Sequence, residues 1–188
     1  AFDADRVLEP AVAARTLHCG ERLMSFAQPQ IMGVLNITPD SFSDGGELFQ
    51  ADTVVLDAVR AQALAMIESG AQVLDVGGES SRPGAQAVNS TEEQRRVLPV
   101  LEALSDLDVI LSVDTYHPET VHAAIDYGAG MINDITGGRD PAVVAAVARS
   151  NVAYALMHMQ GSPQTMQQAP SYKDVVVEVS AYLRDRFA

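Results

Sequence analysis

Polar side chains close a series of apolar runs in this chain, and they are of types that can bind a ligand. Asn36 lies near the end of IMGVLNI, Asp75 in QVLDV with Glu79 just beyond, Asp114 directly after VILSV, Asn133 and Asp134 in GMINDI, and His158 directly after VAYALM. A carboxylate that ends an apolar run is partly desolvated and needs a donor partner to remain charged. An asparagine amide both donates and accepts. Asp114 and Asn133 therefore read as ligand contacts, against a rival reading in which Asp114 or Thr115 caps a helix opening at Pro118. Asp134 follows on the side opposite Asn133 and reads as packing or capping. His158 reads as a structural histidine, and His18, His117 and His122 as superficial.

Two loops add chemistry to this set. In MGVLNITPDSFSDGG, residues 32–46, turn residues account for Pro39, Gly45 and Gly46, but not for Phe42 between serines or for Asn36 at the end of the apolar run. The functional reading is a flap that carries an aromatic wall and a carboxylate, Asp44, over a ligand. In GGESSRPGA, residues 77–85, glycines allow close backbone approach, and Arg82 is a charged fork suited to a carboxylate or phosphate. A lone arginine in a turn is usually only solvated; two such loops after successive runs weaken that reading. One cysteine, Cys19, and no H-E-x-x-H spacing argue against a zinc cage made by protein alone.

The elements that must position these groups follow a repeating order. Apolar runs at 31–37, 72–76, 109–113, 130–135 and 152–157 are continuous, as expected of strands buried on both faces of a parallel sheet. Helical periodicity fills the gaps. One helix covers 52–69, with Val55, Val59, Leu64 and Ile67 on its apolar stripe and a stop at Gly70. A second starts near Thr91, with Thr91 or Ser90 as N-cap and Val97, Leu98, Leu101 and Leu104 facing the core. Others cover 118–127 and 141–150, each opened by proline, and about 172–187.

Strand and helix alternating in this way predict βαβ units, right-handed crossovers and an α/β fold. Polar residues at the end of every strand favour a (β/α)8 TIM barrel, whose active face is that rim, over an open sheet with a single switch point. A complete barrel has eight units and about 250 residues, so the chain is expected to supply about five units. Residues 1–30 form an N-terminal extension with a possible hairpin turning at Cys19-Gly20-Glu21, and 31–188 a partial barrel domain.

The net charge of −13 and the single lysine, Lys173, disfavour nucleic acid and anionic membranes as partners. No apolar run approaches the ~20 residues that span a bilayer. Nothing resembles a signal peptide, so the cytoplasm is the expected compartment.

The segments MGVLNITPDSFSDGG, DVGGESSRPGA, SVDTYHPE, INDITGG and LMHMQGSPQTMQ occur in the order of those of bacterial dihydropteroate synthases, and the chain resembles that family from about residue 31 onward. The first two segments are long and specific; the others are weak alone. The resemblance implies a (β/α)8 barrel of folate biosynthesis. It implies joining of 6-hydroxymethyl-7,8-dihydropterin diphosphate to p-aminobenzoate with release of pyrophosphate, and sulfonamides as inhibitors at the p-aminobenzoate site. By the same resemblance Asn36 and Asp44 would hold Mg2+ on the pyrophosphate, and Asp44 and Arg82 would act in catalysis. Phe42 and Pro83 would wall the p-aminobenzoate pocket, and Ser81 would join Arg82 near the phosphates. Asp114 and Asn133 would read the pterin, with Ile135 and Met157 covering its faces.

Ser81 stands where the family usually has threonine, which keeps the hydroxyl. The family's last three units, with a further pterin-binding aspartate, a Ser-Arg-Lys segment, an Arg-x-His segment and the homodimer contacts, are not in these 188 residues. These residues alone are therefore expected to be inactive, with the first and last strands left as open edges. The rival readings are the pterin module of a methyltetrahydrofolate–corrinoid methyltransferase, which has no need of the first loop or Mg2+, and a non-catalytic barrel fragment.

Overall fold

In a computed structural model, residues 15–38, 48–50, 53–80, 87–163 and 165–186 are described. In chain order the elements are β1 (Thr16–Cys19), β2 (Arg22–Ser25), β3 (Met32–Asn36), β4 (Phe49–Gln50), β5 (Thr53–Val54), α1 (Leu56–Glu68), β6 (Val73–Gly77), α2 (Ser90–Leu104), β7 (Ile110–Asp114), α3 (Pro118–Asp126), β8 (Met131–Asp134), α4 (Pro141–Ala148), β9 (Ala153–Leu156) and α5 (Val175–Arg186). The five apolar runs become one parallel sheet in the order β3-β6-β7-β8-β9. Each strand lies beside the next in sequence, so there is no reversal of strand order. Sequential parallel order is how a barrel is wound, and the α/β fold with part of a TIM barrel agrees with the expectation. Among the described residues β3 and β9 are each paired on one side only.

The two faces of the sheet differ because side chains alternate along each strand. Leu35, Leu74, Val76, Leu111, Val113 and Ile132 face outward and are buried under Val59, Ala63, Val97, Leu101, Leu104, Val121, Ala124 and Val143 from α1 to α4. On the inner face, Val73, Ile110, Met131 and Ala153 pack with Cys19 and Met24 of the β1–β2 hairpin. The hairpin forms where the sequence placed it, turning at Gly20-Glu21. Its seat is tight: a Cβ at Gly130 would lie 2.7 Å from the Cys19 carbonyl oxygen. The Gly20 N–H donates to Asn151 O at 3.0 Å, and Arg22 pairs with Asp108.

Several local expectations need correction. Asn89, not Ser90 or Thr91, caps α2, its side chain accepting from Glu92 N at 2.9 Å. Leu64 is exposed; the buried stripe of α1 runs through Val59 and Ala63, because the helix begins at Leu56 after the β4–β5 pair. Neither Asp114 nor Thr115 caps α3: His117 is its N-cap residue and makes no side-chain cap bond. Two helices end one and two residues earlier than expected, at Asp126 and Ala148, and the last begins at Val175 rather than about 172.

Candidate functional site

Register assembles the site. Asn36, Gly77, Asp114 and Asn133 are successive partners across β3, β6, β7 and β8, and Ala155 of β9 continues the row. Partners in a parallel ladder project to the same face, so this row forms the C-terminal rim of the inner surface. One pleat lower runs the row Val34, Asp75, Ser112, Met131 and Ala153. The inner face therefore changes from an apolar floor to a polar rim within two pleats.

Asp75, 5% exposed, holds that rim from below. One carboxylate oxygen accepts the Ser112 hydroxyl at 2.5 Å and the other accepts Asn133 Nδ2 at 2.9 Å. Asp114 has a different environment. Burial, reinforced by the negative charges of Asp75, Glu93, Asp134 and Glu79, pushes its carboxyl up to about 7. Near neutrality it can therefore donate or accept a hydrogen bond. Between Asn36 and Asp114 the chain has no side chain: a Cβ on Gly77 would lie 3.8 Å from Asn36 Oδ1 and 3.9 Å from Asp114 Oδ2. Both oxygens thus stand within ordinary contact distance of the Gly77 position.

The root of the second loop is tied at both ends. Arg96 donates to Gly78 O at 2.8 Å. Glu79 accepts Val88 N–H at 3.0 Å and the Tyr116 hydroxyl at 3.0 Å, and His117 Nε2 meets Val88 O at 2.9 Å. His117 is thus a half-buried tether rather than a superficial residue, its ring tilted against Tyr116 with centroids 4.5 Å apart. Burial first, and then the charge of Glu79, push the Tyr116 phenol up to about 12. Behind it the Thr115 hydroxyl donates to Glu93 at 2.7 Å, and burial raises the Glu93 carboxyl above its usual range.

Asp134 has the packing role expected of it. It is fully buried and accepts from Thr136 N, Thr136 Oγ1, Gly138 N and the Tyr154 hydroxyl, which shapes the β8–α4 turn. Burial and this bond to Asp134 raise the Tyr154 phenol. Gly137, at φ +68°, is required in that turn, since a Cβ would lie 2.2 Å from Met157 O. His158 packs edge-on against Tyr182 at 4.9 Å, in keeping with a structural histidine.

Of the expected site residues, Asn36, Asp114 and Asn133 come together on the rim. Ile135 and Met157 follow β8 and β9 and are half-buried. Phe42, Asp44, Ser81, Arg82 and Pro83 lie outside the described residues. Among the described residues no group of three or more His, Cys, Asp or Glu side chains could hold a metal ion, and no helix is long and apolar enough to cross a membrane. The roles of Ser112, Tyr116 and His117 were not legible in the sequence. Asp75 did carry a signal, a carboxylate inside an apolar strand.

Known proteins place the chain in a family. A family model described as pterin binding enzyme matches residues 32–188. The dihydropteroate synthase of Escherichia coli (strain K12) is 46% identical over 166 residues, which are 88% of this chain and 57% of that protein. The crystal structure of Burkholderia cenocepacia dihydropteroate synthase complexed with 7,8-dihydropteroate superposes with a TM-score of 0.77 at 43% identity, over 92% of this chain and 57% of that one. The Yersinia pestis dihydropteroate synthase in a sulfonamide drug complex gives a TM-score of 0.82 at 39% identity, over 92% and 61%. The chain thus spans about three fifths of the length of these relatives. Its rim of polar groups lies at the C-terminal ends of the parallel strands, and the chain belongs to the pterin binding enzyme family.

Proposed function

We propose that the protein carrying this chain is a dihydropteroate synthase. It joins 6-hydroxymethyl-7,8-dihydropterin diphosphate to p-aminobenzoate, giving 7,8-dihydropteroate and pyrophosphate. The observation that carries this reading is the pairing of Asp114 with Asn133 in one register row, above the buried Asp75. A pterin is flat, with donors and acceptors on its edge and apolar faces. A carboxyl poised near neutrality and an oriented amide suit that edge, and Ile135 and Met157 suit the faces. The Burkholderia cenocepacia relative is complexed with the product of this reaction.

Reaction breaks the bond between the pterin methylene carbon and the diphosphate oxygen, whose electron pair leaves with pyrophosphate. The aromatic amine supplies the pair for the new C–N bond and releases a proton. Residues of this chain hold the pterin so that the methylene faces the amine, and no covalent enzyme intermediate is needed. The Asn36 carboxamide oxygen, at the strand end beside Gly77, suits a hard oxygen-seeking cation such as Mg2+, which Asn36 and, by the family resemblance, Asp44 would hold. The ion would there supply positive charge to offset that of the leaving diphosphate. Asp44 and Arg82 as catalytic groups, Phe42 and Pro83 as the wall of the p-aminobenzoate and sulfonamide pocket, and Ser81 near the phosphates rest on the family resemblance. A cytoplasmic homodimer belongs to the same proposal.

The test uses the full-length natural protein with both substrates and Mg2+. Pyrophosphate and dihydropteroate should appear in equal amounts, and a sulfonamide should compete with p-aminobenzoate. No Mg2+-dependent pyrophosphate release would overturn the reading in favour of a pterin module of another chemistry.

A further inference from the structure

We propose that Asp75 is a specificity-determining positioning residue: it locks the Asn133 amide so that the atom turned toward the ring at this point is the acceptor Oδ1, which takes a hydrogen-bond donor. The inference rests on the pterin reading above. Asp75 is too deep to meet a ring itself, being 5% exposed in the row beneath the rim. Its carboxylate has acceptors only, so the Asn133 atom 2.9 Å from Oδ2 must be the nitrogen. An amide whose orientation is otherwise ambiguous is thereby assigned by chemistry.

Asp75 in turn cannot swing away, because its other oxygen takes the Ser112 hydroxyl at 2.5 Å. Three adjacent strands, β6, β7 and β8, thus fix one amide. The Asn133 side chain makes no other hydrogen bond among the described residues. With one Nδ2 hydrogen held by Asp75, Oδ1 is the acceptor left to face a ligand, beside the second Nδ2 hydrogen. A ring with an acceptor at that position would place two lone pairs together and leave both unpaired, which is the strongest kind of discrimination a polar contact gives.

The experiment compares 6-hydroxymethylpterin, with a 2-amino donor, and 6-hydroxymethyllumazine, with a 2-oxo acceptor, by calorimetry on the full-length protein. The natural protein should prefer the pterin by at least about 100-fold. Asp75→Asn is nearly isosteric but can offer an N–H to Asn133, which frees the amide to flip. It should cut the preference at least about tenfold, mostly by weakening pterin binding. An unchanged ratio, including equal loss of both ligands, would overturn the positioning role and leave the pterin reading intact. Failure of the natural protein to bind pterin would overturn both. Should Asp75→Asn fail to fold, the unsubstituted protein still decides. In 15N spectra the Asn133 Nδ2 should carry one proton protected from exchange; a freely exchanging amide would overturn the lock.

Discussion

The floor and the rim of the inner face are built on the same strands, one or two pleats apart, and solve opposite problems. At the floor, Val73, Ile110, Met131 and Ala153 meet Cys19 and Met24 of the hairpin and exclude water. Burial even pushes the Cys19 thiol up. At the rim, Asn36, Asp114 and Asn133 replace those apolar groups, and Asp75 is buried to orient one of them. The floor gains stability from area removed from water. The rim gives some stability up, because Asp114 is desolvated among other carboxylates. One surface can thus carry a seal and a site when a strand changes composition along its length.

The comparison breaks most easily at the rim. In the full-length protein, Asn133→Ala should weaken pterin binding by about 100-fold, roughly 3 kcal/mol, and cost about 1–3 kcal/mol of stability because buried Asp75 loses a donor; calorimetry with thermal melting checks both. A floor substitution should affect stability alone. Met131→Ala should destabilise by about 2 kcal/mol, the low end for a buried truncation, and leave pterin affinity within about twofold. Loss of affinity equal to that of Asn133→Ala would show that floor and rim are one coupled unit.

Acidity sharpens the contrast. The Asp114 carboxyl is raised from 3.8 to about 7, so the native state holds this proton more tightly than the unfolded chain. Its contribution is therefore greatest below about pH 4, falls as pH climbs from about 4 to about 7, and is flat above. Asp114→Asn should be more stable than the natural protein at pH 8, by about 1–2 kcal/mol, with the gain gone near pH 4. Denaturant titrations at the two pH values test the sign, and a larger gain at pH 4 would refute it.

Smaller effects lie at the margins of the site. Asn89→Ala removes the cap of α2, next to the second loop, and should cost about 1 kcal/mol. Asn36→Ala should change stability within ~0.5 kcal/mol yet weaken pyrophosphate binding in the presence of Mg2+. Equal pyrophosphate affinity with and without Mg2+ for both proteins would remove Asn36 from the metal.

Strand positions, the order of elements, the hairpin and the polar strand ends were legible because each is a local pattern: five- to seven-residue apolar runs, helical periodicity, a glycine turn and a polar terminus. The sequential wound order followed from the same alternation. What remained hidden were relations between strands. Nothing in QVLDV says that Asp75 meets Ser112 and Asn133, since those contacts join residues 37 and 58 positions away. Nothing in SVDTYHPET says that His117 turns back to Val88 rather than to solvent, 29 positions distant. Asn89 was missed as a cap because a capping box starting at Ser90 or Thr91 is equally good locally, and only the entry angle of the chain selects between them. The sequence by itself determined which residues would be polar at the strand ends and which segments would carry them. The tertiary structure alone decided which of those residues face a ligand and which support it, because register across parallel strands is set by packing of the whole sheet and not by any one segment.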